Sequence, residues 1–231
     1  MKVLLFDIDG TLIRAGGAGR KALNRAAYEL YGKKEACSEL SLAGRTDLYN
    51  FGATYRNATG KRPTKAAVER LHRAYLKHLP AYVRSALRRR TYHVPPGLKP
   101  LLKRLSSDRR VLLGLGTGNM EKGARIKLEP SGFNPYFQFG GYGSDAFHRH
   151  QLLRKAVTRA RKLAREPFSP RDVFVIGDTP FDVSAGKKAG YKTVAVGTGF
   201  AEWKELVASK PDHLAKDFKD LKKWLTWLEL N

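Results

Sequence analysis

Three short segments of the chain carry acidic or hydroxyl side chains, each directly after an apolar run. The first contains Asp7 and Asp9, the second is Thr117-Gly118-Asn119, and the third contains Asp178 and Asp182. Clustered acids stand out in a chain with 44 Lys and Arg against 21 Asp and Glu. Oxygen ligands of this kind suit a hard divalent cation such as Mg²⁺, which commonly binds one or two carboxylates together with substrate phosphate. The pattern therefore predicts a metal-assisted site for a phosphorylated ligand.

The apolar runs that precede these segments are typical of strands buried on both faces of a parallel sheet. Helical patterns separate them, so strands and helices alternate along most of the chain. Ligands of such sheets bind outside the carboxyl ends of the strands, where all three segments would meet. We expect strands at 2–6, 111–115, 137–140, 173–176 and 193–196, and helices at 98–105, 120–130, 149–164, 182–189 and 221–228.

The stretch from about residue 20 to residue 92 has a different character, because its apolar residues recur at helical spacing and nothing in it indicates a strand. Small residues at 15–19 could form a hinge before it, and Pro95-Pro96-Gly97 breaks the chain after it. We therefore expect a catalytic core formed by residues 1–14 and 96–231, with an all-helical domain, residues 15–95, inserted after the first strand.

Length and composition narrow the class of protein. The chain has 231 residues, of which 42% are hydrophobic, enough for one sizeable core with an insert. Cys37 is its only cysteine, so an intrachain disulfide is impossible and a reducing compartment is favoured. Asp7 and Asp9 interrupt the apolar N-terminus, and no run approaches the roughly 18 residues of a membrane span. These features predict a soluble, cytoplasmic protein without a membrane partner, either a monomer or a homodimer.

The net charge of +23 indicates attraction to anions but does not identify them. Residues 61–110 contain 15 Lys or Arg and only two acids, Glu69 and Asp108. This density fits a solvated basic face, and it also fits a surface that attracts phosphorylated metabolites or a polyanion. No basic-aromatic nucleic-acid motif stands out, so nucleic acid is not the expected main partner.

The three segments resemble motifs of the haloacid dehalogenase superfamily, in its phosphatase branch. Asp7-Ile8-Asp9-Gly10-Thr11-Leu12 is similar to the first motif, Gly116-Thr117-Gly118-Asn119 to the second, and Gly177-Asp178-Thr179-Pro180-Phe181-Asp182 to the fourth. Their order and spacing match over the whole chain. The resemblance implies an α/β fold with a Rossmann-like three-layer parallel sheet core, into which a helical cap domain is inserted.

The resemblance also implies roles for residues of the first and second motifs. Asp7 would be the nucleophile that forms an aspartyl-phosphate, which divides one difficult displacement into two easier ones. Asp9 would protonate the leaving oxygen and then activate water. Thr117, with backbone amides near Gly118 and Asn119, would bind phosphoryl oxygens.

The implied cofactor is Mg²⁺, held by Asp7, the Asp9 carbonyl and Asp178, where it would neutralise phosphate charge. Asp182 would lie beside the ion and orient a bound water or a lysine. An N-cap on the following helix is the structural alternative for Asp182.

The chain departs from the family pattern at the cation that usually precedes the fourth motif, a lysine often followed by proline. Arg149, in His148-Arg149-His150-Gln151, stands near that position. Lys127, in the helix after Thr117, is the other candidate for neutralising the phosphate. Lys127 is favoured because a compact ammonium suits this role, whereas Arg149 would substitute as a fork-shaped donor.

The helical insert resembles the C1-type cap of phosphoglycolate-phosphatase-like and phosphoglucomutase-like relatives, which closes over the substrate. Gly44-Arg45-Thr46-Asp47 looks like the cap loop that dips toward the site. Arg45 could pair with a substrate carboxylate or a second phosphate. A simple helix start, with Thr46 or Asp47 as N-cap, explains the same residues equally well.

We therefore expect a Mg²⁺-dependent phosphatase of a small phosphorylated metabolite, with phosphoglycolate as the family-level expectation. A phosphomutase of the same fold is the nearest alternative, since it would use the same two aspartates. A nucleic-acid-binding protein on a phosphatase scaffold is the alternative from another class. A metal-free dehalogenase is disfavoured because Asp9 serves phosphate chemistry.

Overall fold

The N-terminal apolar run forms the central strand of a six-stranded sheet in the computed structural model, which describes Met1 to Asn231. All neighbouring strands of this sheet are parallel, in the order β5-β4-β1-β6-β7-β8. Two further strands, β2 and β3, form a separate antiparallel pair. The strands are β1 (Lys2–Phe6), β2 (Arg14–Ala15), β3 (Tyr92–His93), β4 (Val111–Gly116), β5 (Phe139–Gly141), β6 (Val173–Gly177), β7 (Lys192–Val196) and β8 (His213–Ala215).

Helices cover both faces of the sheet. Alternate side chains of β1 enter separate apolar clusters, Leu4 and Phe6 on one face and Val3 and Leu5 on the other. This two-sided burial confirms the predicted α/β class with a three-layer Rossmann-like core. The helices are α1 (Ala18–Tyr31), α2 (Asp47–Thr59), α3 (Lys65–Arg88), α4 (Leu98–Ser106), α5 (Glu121–Leu128), α6 (Arg149–Leu163), α7 (Pro180–Ala189), α8 (Trp203–Ala208) and α9 (Leu221–Trp227).

The three helices α1–α3 lie between β2 and β3 and pack on one another, with α1 against both α2 and α3. The expectation of no strand between about residues 20 and 92 was wrong at its end, because Tyr92 pairs with Ala15 in the β2–β3 ribbon. A two-residue strand carries no periodicity that a sequence pattern could reveal. None of the helices combines the length and apolar character that crossing a bilayer requires.

The C-terminal part of the chain contains two elements that the apolar pattern did not predict, α8 and β8. Both are short, six and three residues. The terminal helix α9 was predicted, and its Trp224 is buried against Phe218, with ring centroids 4.9 Å apart. This stacking docks the end of the chain on the core.

Candidate active site

Asp7 lies at the carboxyl end of β1, where it is buried. Its backbone N–H donates to the Ile176 carbonyl of the neighbouring strand β6 (2.9 Å), which fixes the position of Asp7 at the sheet edge. Its Oδ1 lies 3.0 Å from Nη2 of Arg149. Burial, followed by the charges of Asp182 and Asp9, raises the pKa of Asp7 to about 6, against the lowering effect of Arg149.

Asp178 follows β6 and is fully buried, with both carboxylate oxygens accepting hydrogen bonds. Thr11 Oγ1 donates to Oδ1 (3.1 Å) and the Phe200 backbone N–H donates to Oδ2 (2.8 Å). Gly10, with φ of +91°, passes so close that a Cβ there would overlap the Asp178 carboxylate. Because Gly10 has no side chain, the first motif leaves room for the Asp178 carboxylate of the fourth motif.

Asp182 occupies the third position of α7 and completes a capping box with Thr179. Its Oδ2 accepts from the backbone N–H and the hydroxyl of Thr179 (3.1 and 2.7 Å), and its Oδ1 accepts from Nη2 of Arg149. Thr179, not Asp182, is thus the N-cap residue. As the third residue of α7, Asp182 supports the helix start, and it also binds the guanidinium of Arg149.

The structure brings Asp7, Asp178 and Asp182 together at the sheet edge, with one oxygen from each lying within 4.8 Å of the others. Burial, followed by the charges of Asp182 and Asp7, raises the pKa of Asp178 well above its ordinary value. Three buried carboxylates repel one another, and Arg149 compensates only part of their charge. An all-oxygen, cation-deficient cluster of this kind fits Mg²⁺.

Asp9 lies across the site and faces the cavity, with 31% of its side chain exposed. Its Oδ2 accepts from Nζ of Lys127 (2.6 Å) and from Nδ2 of Asn119 (2.9 Å). Asn119 Oδ1 in turn accepts from Lys127 Nζ (2.7 Å). Thr117 is fully buried and its Oγ1 accepts from the Asn119 side chain (2.9 Å), so it supports Asn119 and does not line the cavity.

The two candidate cations, Lys127 and Arg149, have different partners. Arg149 contacts Asp7 and Asp182, whereas Lys127 contacts Asp9. Burial alone would lower the pKa of Lys127, but the charge of Asp9 reverses this effect and the pKa lies above its ordinary value. The distances therefore favour Arg149 beside the expected nucleophile, although the sequence favoured Lys127.

A cavity of about 200 Å³ opens above these residues. Its lining includes Asp7, Asp9, Asn119, Lys127 and Arg149, together with Gly118, Arg45, Asp47, Asn50, Tyr75 and the glycine-rich segment 16–19. Arg45 lies over the rings of Tyr49 (4.4 Å) and Phe181 (5.3 Å), which hold its guanidinium at the cavity. A cation in the cavity lining can bind a second anionic group of a ligand.

Asp47 lines the cavity, although the sequence indicated for it only a place in the cap loop or at a helix start and no chemical role. Thr46 is in fact the N-cap of α2, and the Asp47 Oδ2 instead accepts from the Met120 backbone N–H (2.8 Å). Burial raises the pKa of Asp47 to about 6, although Lys127 and the Met120 N–H act to lower it. The sequence signal that could have indicated a role at the site was the place of Asp47 in the Gly44–Asp47 loop.

Asp47 should make folding stability depend on pH. Because its folded-state pKa is raised, the carboxyl group binds its proton more tightly in the folded protein. Its contribution to the free energy of unfolding is therefore complete below the unfolded-state pKa of about 4 and is lost as pH rises through about 6. The unfolding free energy of the unmodified protein, relative to Asp47→Asn, should fall by about 1 kcal/mol between about pH 5 and about pH 7.5. Denaturant unfolding of both proteins at the two pH values measures this difference. A pH-independent difference would contradict it.

Comparison with known proteins identifies a family model and two relatives that are similar in sequence. Residues 4–196 match the family model described as haloacid dehalogenase-like hydrolase. The chain is 26% identical to a phosphoglycolate phosphatase of Synechococcus elongatus over 234 residues, covering 99% of each chain. It is 25% identical to a phosphoglycolate phosphatase of Aquifex aeolicus over 227 residues, covering 94% of this chain and 96% of the relative.

Two solved structures show the same fold. A hydrolase from Pseudomonas syringae is similar with a TM-score of 0.71 at 19% identity, covering 98% of this chain and 99% of the other. A suspected beta-phosphoglucomutase from Bacteroides vulgatus is similar with a TM-score of 0.69 at 19% identity, covering 99% of this chain and 89% of the other.

Proposed function

Because the chain belongs to the haloacid dehalogenase-like hydrolase family, we propose that it is a magnesium-dependent phosphatase acting on a small phosphorylated metabolite. The observation that carries this proposal is the arrangement around Asp7. Its carboxylate lies 3.0 Å from Nη2 of Arg149 and clusters with the acids Asp178 and Asp182, while Asp9 lines the same cavity. A nucleophile, a proton donor and positive charge for a phosphoryl group therefore share one small space.

In the first step, a carboxylate oxygen of Asp7 attacks phosphorus as the ester P–O bond breaks. Asp9, entering the step as the carboxylic acid, gives its proton to the departing oxygen, so the alcohol leaves neutral. In the second step, Asp9 removes a proton from water, whose oxygen attacks the same phosphorus. The P–O bond to Asp7 then breaks, which releases inorganic phosphate and restores the Asp7 carboxylate.

The surrounding residues position this chemistry. Lys127 and Asn119 both bond to Asp9 Oδ2 and hold its side chain toward the cavity. Arg149 holds Asp7 in one orientation and places positive charge where the phosphoryl group enters. Mg²⁺, bound by Asp7, Asp178 and the Asp9 carbonyl, would offset phosphate charge so that an anionic nucleophile can approach.

Phosphoglycolate is the first substrate to test, since both curated relatives bear that name. A cavity of about 200 Å³ suits a molecule of a few carbons, and Arg45 offers a partner for its carboxylate. Residues 15–95 act in this proposal as a cap that encloses the substrate and excludes bulk water. The buried free thiol of Cys37 fits a reducing, cytoplasmic location.

Purified protein should release phosphate from an aryl phosphate in the presence of Mg²⁺, and a chelator should abolish the activity. The physical reason is that the carboxylate cluster without a cation repels the incoming phosphate. Phosphate release is measured before and after EDTA, with re-addition of Mg²⁺ as the control. Undiminished turnover after complete chelation would contradict metal dependence.

A substrate panel separates the remaining alternatives. Phosphoglycolate, sugar phosphates and nucleotides are compared by kcat/KM for phosphate release. Conversion of one sugar phosphate isomer into another without net phosphate release would indicate a phosphomutase. Negligible turnover of every small phosphate, together with tight nucleic-acid binding at physiological salt, would favour the binding-protein alternative.

A further inference from the structure

The cap loop, residues 44–47, contacts the core through several polar bonds. The Asp47 backbone N–H donates to the Gly118 carbonyl (2.7 Å), and the Met120 N–H donates to Asp47 Oδ2 (2.8 Å). The Thr46 hydroxyl donates to the Phe147 carbonyl (3.3 Å). Asp47 is therefore the residue of this loop that holds the segment after β4 with both its backbone and its side chain.

These two Asp47 bonds lie on either side of Asn119. Gly118 and Asn119 line the cavity, and the Asn119 side chain bonds to both Asp9 and Lys127. A shift of the segment would thus move the residue that positions Asp9. Asp47, which lies in the insert, consequently controls the geometry of groups that belong to the core.

The cap loop lies so close to Gly118 that no side chain fits between them. A Cβ added at Gly118 would overlap the Arg45 carbonyl oxygen. The φ of Gly118 is not positive, so its backbone conformation alone does not require glycine. The glycine is needed because the cap loop lies directly against it.

The Asp47 carboxylate also replaces a missing helix cap. Met120 is the N-cap residue of α5, and its side chain makes no capping bond. An acidic group at a helix start is favourable because it complements the unpaired N–H groups there. The charge of Lys127 acts to lower the pKa of Asp47, although burial outweighs this effect.

We propose that Asp47 is a positioning residue that links cap closure to the phosphate-binding segment 117–120. When the cap loop lies on the core, the Asp47 carboxylate bonds to the Met120 amide and holds Gly118 and Asn119 toward the substrate phosphate. This inference rests on the proposed phosphatase function.

The test compares Asp47→Ala with Asp47→Asn, in which the amide oxygen can still accept from the Met120 N–H. We expect Asp47→Ala to lower kcat/KM for phosphate esters roughly 10- to 100-fold, as displaced catalytic groups do. The inhibition constant of inorganic phosphate should rise in parallel, because this product binds the same segment. Asp47→Asn should restore kcat/KM to within about fivefold of the unmodified enzyme, since the neutral hydrogen bond is retained.

Amide hydrogen exchange supplies a readout that is independent of turnover. The Met120 N–H should lose protection in Asp47→Ala and keep it in Asp47→Asn, while amides of β4 remain protected in both. If Asp47→Ala does not fold, Gly118→Ala tests the same link from the core side, because its methyl group displaces the cap loop. Gly118→Ala should also lower kcat/KM and expose the Met120 amide.

Three results would overturn the inference: unchanged kinetics in Asp47→Ala, equal damage in Asp47→Asn and Asp47→Ala, or unchanged kinetics in Gly118→Ala. Equal damage would assign the effect to the charge of Asp47 and not to its bond with Met120. Absence of phosphate release by the unmodified protein from any ester would instead refute the proposed function, whereas Met120 exchange would still report on the contact.

Discussion

Asp7→Asn should reduce phosphate release to background while leaving the protein folded. The amide has nearly the shape of the carboxylate but lacks the charge needed to attack phosphorus, so no aspartyl-phosphate can form. The Asp7 side chain is buried among Arg149, Asp182 and Asp9, and the substitution removes one of several crowded negative charges. Release of phosphate from an aryl phosphate, followed together with thermal unfolding, measures both parts of this expectation.

Asp172→Asn is a matched control. Asp172 directly precedes β6, at the opposite end of the strand from Asp178, and its Oδ1 pairs with Nζ of Lys2 (2.9 Å). Both variants replace Asp by Asn, but only Asp7 lies in the candidate site. Asp172→Asn should retain turnover, and substantial activity in Asp7→Asn would refute the proposed nucleophile.

Arg149→Ala should lower kcat/KM by roughly 10²- to 10³-fold, the range expected for loss of one electrostatic stabiliser. The variant removes the cation beside Asp7 and leaves Asp182 without its ion pair. Loss of a partner from a buried ion pair also destabilises a fold. Steady-state kinetics should therefore be measured below the unfolding transition of the variant.

Arg149→Lys is the conservative control and should recover part of the activity, because it restores a cation without the fork-shaped geometry. Lys127→Ala should act differently, since Lys127 contacts Asp9 and not Asp7. A larger loss of kcat/KM in Lys127→Ala than in Arg149→Ala would return the phosphate-neutralising role to Lys127.

The sequence predicted the core strands because each is buried on both faces and therefore appears as a continuous apolar run. It could not predict β8, whose three residues include His213, or the two-residue strands β2 and β3. Such short strands form because a neighbouring strand offers them hydrogen-bond partners. This pairing depends on the assembled sheet and not on the residues of the short strand. Their own residues carry no periodic signal.

Convergence of Asp7, Asp178 and Asp182 was predictable, since all three follow strands of one parallel sheet. The partners of Lys127 and Arg149 were not, because they depend on how far each side chain reaches. Arg149 begins α6, whereas Lys127 lies near the end of α5. Small differences in helix placement decide which carboxylate each cation meets, and residue spacing along the chain does not contain that information.

The β2–β3 ribbon holds the two ends of the segment that contains α1–α3 side by side, with Arg14 opposite His93 and Ala15 opposite Tyr92. For the six-stranded sheet, this segment is a closed loop whose ends are separated by one strand spacing, about 5 Å. Closure entropy grows only logarithmically with loop length, so the core is nearly indifferent to what the loop contains. Under the proposed function, recombination at these two adjacent points could exchange one helical segment for another and so alter substrate choice, while the proposed nucleophile Asp7 is retained.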